Sequence, residues 1–374
     1  ENREGEADVQ MLAMSTDTVL CRDLLADSGL PVLRDPVDVI HTGYNSNDKC
    51  IKLWVLTKSQ AYSMDRKTFA GSESDVFSKL LFMDQTFDTE FVPVDIIPRV
   101  KDKSGKNGGS SYCRTVVCNN GYIFNASTLL MGGDYYNNPV NCLTSDQNTY
   151  YKAFPYLFYT LNSYSGGFLW FDVENRRFLT VKNSIAVSDL LEDQAGDPFP
   201  WNQGTTGRTL VYGENTLDVG SSNGNSFAIL KDPAGAYYLY KFRAVGSGPT
   251  KLNCYTIGAG AVDFDKADFY AFSSRRTVVY YAVGATLHAY DYNKGNERHY
   301  TFDMGDPITM LYCDTAIEPN ANPLYVATYN ATTGGKLQKY IQGVNPDKVE
   351  LEADEKSCWE GLMKIKKMSW RAVE

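Results

Sequence analysis

The stretch VVYYAVGATLHAYDYNKGNERHYTF, residues 278–302, decides the fold. A β-branched and aromatic run from Val278 to Val283 meets the tight turn Gly284-Ala285. A second run follows from Thr286 to Asp291, then the turn Tyr292-Asn293-Lys294-Gly295 and a third run over residues 298–302. β-branched and aromatic side chains fit a pleated surface, and glycine and asparagine supply the turn conformations. Three strands joined by tight turns make an antiparallel meander, the unit of a propeller blade.

The same hairpin recurs along the chain. It occupies residues 9–20 around Ser15-Thr16-Asp17, 53–64 around Lys58-Ser59-Gln60, and 112–124 around Asn119-Asn120-Gly121. It returns at 168–181 around Glu174-Asn175-Arg176, at 227–242 around Pro233-Ala234-Gly235, at 278–290, and at 324–341 around Thr333-Gly334-Gly335. The turn centres are spaced by about 43 to 61 residues, close to a propeller blade plus its loops. The expected fold is an all-β propeller of seven antiparallel meander blades, with residues 1–374 forming one domain. A β-sandwich or two smaller β domains is the competing reading, but a sandwich needs fewer evenly spaced hairpins. Helical periodicity is scarce, with residues 184–193 the best short candidate. Residues 361–370 read as a final strand whose lysines solvate an edge. Closing a ring requires its ends to meet, so this strand and the N-terminal run are expected to share a blade.

Composition narrows the function. The chain carries 36 Lys and Arg against 45 Asp and Glu, a net charge of −9, and so lacks the basic footprint of a nucleic-acid binder. No stretch approaches the roughly 18 apolar residues of a membrane helix. The opening Glu1-Asn2-Arg3-Glu4 has neither an initiator Met nor an apolar signal region, which fits a mature form cut from something longer, whose export signal or upstream domain would lie outside this sequence. The eight cysteines include no C-x-x-C pair and no histidine at ligand spacing, so neither zinc nor another cofactor is expected. Cys113, Cys118 and Cys313 lie in apolar runs and read as buried thiols, with disulfides left open.

Catalytic patterns are absent. His41, His288 and His299 form no nucleophilic dyad or triad by spacing. Glycosidases need two carboxyl groups across a cleft, for which Asp134, Asp197 and Glu214 are candidates, each also readable as a surface turn residue. The glycine-rich stretches 105–109 and 213–224 lack the Lys-Ser/Thr ending of a phosphate loop and read as long loops. Asp263-Phe264-Asp265 and Asp291-Tyr292-Asn293 alternate oxygen donors without completing a calcium loop. Asn125 and Asn330 begin sequons, relevant only in a eukaryotic secretory pathway.

Aromatic loops between blades are more informative. One joins Asp134, Tyr135 and Tyr136 to glycines and amides; another sets Trp201 beside Asn202 and Gln203; Tyr164 precedes Gly166-Gly167. Aromatic faces receive the C–H groups of a sugar ring, while amides and carboxylates bond its hydroxyls. These seven residues form the candidate ligand site; the alternative is that the rings fill space between blades.

The opening Val9-Gln10-Met11-Leu12-Ala13-Met14 with residues 20–25, the block from Tyr280 to Leu287 with Tyr290-Asp291, and the closing residues 365–370 together resemble the PKD-like family of Bacteroidetes surface lipoproteins. That resemblance implies immunoglobulin-like modules followed by a C-terminal propeller, to which this chain would correspond. It implies export, a lipid anchor on an upstream cysteine, and linkage to outer-membrane glycan-uptake components. The expected location is the extracellular face of the outer membrane, with the periplasm as alternative. The family offers no catalytic motif to carry over. Three functions follow as expectations: a cell-surface protein binding carbohydrate through aromatic loops on one propeller face, a protein-binding scaffold or adhesin, and a propeller glycosidase or lyase.

Overall fold

The computed structural model describes residues 1, 5–14, 18–42, 51–99, 113–127, 135–161, 164, 166–217 and 224–371. Asp134, Cys50, the turn at 15–17, the stretch 105–109 and residues 218–223 lie outside them. The chain is an all-β propeller, but its ring has six blades rather than seven. Blade 1 comprises Pro36–His41, Lys52–Thr57 and Ala61–Asp65, and blade 2 Pro93–Ile97, Cys113–Cys118 and Ile123–Ser127. Blade 3 is built on Phe168–Asp172, Arg177–Val181 and Ser188–Leu190. Blade 4 contains Thr209–Thr216, Asn225–Lys231, Tyr237–Arg243 and Thr250–Ile257. The deciding stretch forms most of blade 5: Phe269–Phe272, Val278–Val283, Thr286–Asp291 and Arg298–Asp303. Blade 6 is Ile308–Cys313, Leu324–Asn330, Gly334–Gln342 and Leu351–Leu362.

The first expected hairpin does form, between Met11–Met14 and Thr18–Cys21, but it remains a two-stranded sheet and never becomes a blade. Two strands cannot cover both faces of a neighbour, so it acts as a wedge: Leu12 and Leu20 pack on blade 6, while Val9 and Leu25 pack on blade 1. Residues 184–193 are not helical; they include the third strand of blade 3, whose outer edge is completed by Cys142–Leu143 and Asp146–Tyr150 from the preceding linker. Leu143 there runs parallel to Ser188. The last strand ends at Leu362, and residues 363–371 continue as an extended clasp without strand pairing.

Strand periodicity places the core between blades. Along Phe168–Asp172, Phe168 and Trp170 face blade 2 whereas Leu169 and Phe171 face blade 4. Along Val278–Val283, Val279 and Tyr281 face blade 4 whereas Val278, Tyr280 and Ala282 face blade 6. Each strand is therefore buried on both sides and reads as a continuous apolar run, while successive side chains serve different interfaces. The hairpin turn of blade 2 requires its glycine: Gly121 has φ +86°, and a Cβ there would meet the Ala153 nitrogen at 2.8 Å.

Candidate functional site

The expected ligand residues divide among three interfaces. Tyr136 is buried between blades 1 and 2, its ring 5.3 Å from that of Phe77. Tyr164 is buried between blades 2 and 3, where its hydroxyl shares a 2.6 Å hydrogen bond with that of Thr115. Trp201 is buried between blades 3 and 4 in edge contact with Phe178 and Phe199. The buried Gln203 accepts hydrogen bonds from the Thr206 hydroxyl at 2.7 Å and the Tyr240 phenol at 2.9 Å, and donates to the Pro200 carbonyl. Asn202 is exposed, but its side-chain oxygen accepts the Gly204 N–H at 2.9 Å. Asp197 joins Asp193 in holding the Lys251 ammonium, which also lies 5.2 Å from the Trp201 ring. The bond to Lys251 lowers the Asp197 pKa.

Tyr135 differs. Its ring is 38% exposed and meets Phe82, 59% exposed, edge to face with centroids 4.8 Å apart. Backbone pairing fixes this meeting: Phe82 N–H donates to the Tyr136 carbonyl at 2.7 Å, and Tyr136 N–H donates to the Leu80 carbonyl at 2.9 Å. Polar side chains link the neighbouring residues of these segments. Asn138 donates to Asp84, and the Tyr150 phenol donates to Gln85 Oε1 at 3.0 Å. The result is an open aromatic shelf, with the Asn138–Asp84 bond joining the same two segments of chain. Phe82 and Asp84 carry no sequence signal of this role, because their closeness to the Tyr135 segment depends on pairing across more than fifty residues.

A second polar assembly lies on the innermost strands. Arg99 Nη2 donates to Asp38 of blade 1 at 2.7 Å and to Asp95 of blade 2 at 2.8 Å, while its backbone N–H donates to the Tyr159 phenol at 3.0 Å. Burial pulls the Arg99 pKa down, but the two carboxylates more than offset it and leave it well above its ordinary value. Asn215 of blade 4 donates to the Tyr156 phenol and the Leu157 carbonyl, each at 2.9 Å. Glu214 Oε2 accepts the Tyr212 phenol at 2.9 Å and the Phe272 N–H of blade 5 at 3.0 Å. Burial pushes the Glu214 carboxyl up to about 8, against the lowering effect of those two bonds. Glu214 is thus an inner-strand acid and not a surface turn residue. This assembly ties blade 1 to 2, 3 to 4 and 4 to 5 with bonds that satisfy otherwise costly buried groups.

Cys113, Cys118 and Cys313 are all buried, as expected, and Cys118 and Cys313 are free thiols. Among the described residues no three metal-ligating side chains converge, and no helix is long and apolar enough to cross a membrane.

No protein-family model matches the sequence. No curated protein matches it either. Solved structures do. The chain is similar to YCF48 from Cyanidioschyzon merolae, with 10% identity over 87% of this chain and 89% of that one, at a TM-score of 0.42. It is similar to the β-propeller domain of Cps50 (Swd1) from Myceliophteria thermophila, with 8% identity, 87% and 90% coverage, and a TM-score of 0.45. A third is the extracellular domain of the one component system BT4673 from B. thetaiotaomicron, with 9% identity, 89% of this chain and 36% of that one, and a TM-score of 0.42.

Proposed function

We propose that the protein is a cell-surface binding protein that recognises carbohydrate at the Phe82–Tyr135 shelf, within a glycan-uptake system of the outer membrane. The exposed aromatic pair carries this reading. Large rings are normally spent in the core, as Tyr136, Tyr164 and Trp201 are here, so two left open side by side, on segments that also carry the Asn138 amide and the Asp84 carboxylate, suit a sugar ring. The surface location and the lipid anchor rest on the resemblance to PKD-like lipoproteins.

A glycan array tests the function, with Phe82→Ala and Tyr135→Ala as variants and Trp201→Ala as the contrast. Binding should be lost in the two shelf variants without a change in melting temperature, whereas Trp201→Ala should lower stability. A blank array with the intact chain, or shelf variants that bind as well as the parent, would overturn the proposal.

A further inference from the structure

Two of the chain's three histidines meet on blade 5. His288 Nδ1 and His299 Nε2 lie 3.0 Å apart. Register explains the meeting: His288 pairs with Thr301, two residues from His299, so the two imidazoles are diagonal neighbours on one sheet face. The Tyr281 ring fixes their planes from below, stacked 4.7 Å from His288 and 6.3 Å from His299. His299 sits half-buried on the outermost strand of the blade, with which no further strand pairs among the described residues. Asp263 is near enough for its charge to act on both rings, while Lys266 holds that carboxylate at 2.6 Å.

We propose that His288 Nδ1 and His299 Nε2 form a two-nitrogen site for a divalent transition-metal ion, with water completing the coordination and Asp263 supplying nearby negative charge. Imidazole nitrogens bind such ions at about 2.0–2.1 Å, which puts two cis ligands about 2.9 Å apart at a right angle and about 3.4 Å apart in a tetrahedron. The observed 3.0 Å lies within that span, so an ion would sit to one side of the line between the two nitrogens, and both rings would turn until their lone pairs converge on it. The proton balance is simple. In the neutral pair one ring donates to the other; on metal binding that bridging proton moves to the outer nitrogen of its own ring, leaving both inner nitrogens bare.

The third histidine makes the test clean. His41 is fully buried, with Nδ1 3.0 Å from the Trp370 carbonyl oxygen, and serves as an internal reference. Zinc is titrated into the intact protein while the imidazole nitrogens are followed by nitrogen-15 NMR. One zinc per chain should move the His288 and His299 signals together and leave His41 in place, with copper and nickel competing more strongly than zinc. His299→Gln should abolish saturable binding, and Asp263→Asn, which disturbs no strand, should weaken it by about tenfold. Unmoved signals at millimolar zinc, or equal binding by His299→Gln, would overturn the site; equal binding by Asp263→Asn would remove Asp263 from it.

Discussion

The interface between blades 3 and 4 and the seam between blades 6 and 1 are both joints of one ring, built in opposite ways. The first is dry and aromatic: Phe158, Phe171, Phe178, Phe199, Trp201 and Phe242 are all buried, with ring contacts such as Phe178–Phe242 at 5.7 Å. The second is filled by the N-terminal hairpin and the 363–371 clasp, whose Leu12, Leu20, Ile365, Met368 and Trp370 are only partly buried. A cavity of about 800 Å³ remains there, lined by Leu12, Leu20, Val55 and Trp370 among others. Long-range polar bonds take over. Lys366 pairs with Glu1 at 2.6 Å, Met363 N–H donates to Gln10 at 3.1 Å, Arg22 donates to the Gly361 carbonyl at 2.8 Å, and Trp370 Nε1 donates to Asp314 at 3.0 Å. Apolar burial scales with area, whereas each such bond adds little net stability. The seam is therefore where the ring should open first.

The largest expected effect breaks the strong joint. Phe178→Ala empties space among four aromatic neighbours and should cost about 3–5 kcal/mol, read as a lower denaturant midpoint at unchanged slope. Trp370→Ala should cost less, about 1–2 kcal/mol, because the ring is only partly buried. Its effect should also be local. Amide exchange should quicken in residues 5–14, 18–25 and 363–371 while blades 3 and 4 keep their protection. Equal loss of protection around the whole ring would mean that the seam and the aromatic joints open as one cooperative unit.

The strong joints were legible in sequence and the seam was not. Hairpins at 112–124, 168–181, 227–242 and 278–290 announce themselves through local turn chemistry and apolar runs, and the structure forms each of them. The hairpin at 9–20 has the same local signature, yet its fate depends on whether a third strand joins it, which nothing nearby specifies. Lysines at 364, 366 and 367 suggested a strand edge; their segment instead binds Glu1 and Gln10, more than 350 residues away. The candidate site shows the same limit. Tyr135 and Trp201 look alike in their loops, and only tertiary packing leaves one exposed and buries the other. Glu214 could be named as an acid of interest, but its partner Phe272 lies on the next blade.

The two kinds of joint should also answer pH in opposite directions. Glu214, whose carboxyl reaches across to blade 5, has its pKa raised by burial to about 8, above the ordinary glutamate value near 4.5. The folded chain then holds a proton that the unfolded chain has released, so this contribution is complete below about pH 4.5 and is lost as pH rises toward 8. His41 belongs to the seam, where its N–H donates to the Ser369 hydroxyl at 3.0 Å and its ring faces the Trp370 carbonyl. Burial lowers its pKa from 6.5 to about 4, with Arg66, Arg371 and Arg114 pushing the same way and the Trp370 carbonyl opposing them. There the unfolded chain takes up the proton first, so this contribution is complete above about pH 6.5 and is lost as pH falls toward 4. The protection of seam amides, measured against their intrinsic exchange rate at each pH, should therefore fall on acidification from pH 7 to 5. Global stability should carry a component that falls from pH 6 to 8, and Glu214→Gln should remove it by fixing the uncharged form. If that variant keeps the alkaline slope, Glu214 is ionised in the folded ring and the blade 4–5 joint is held by its charge.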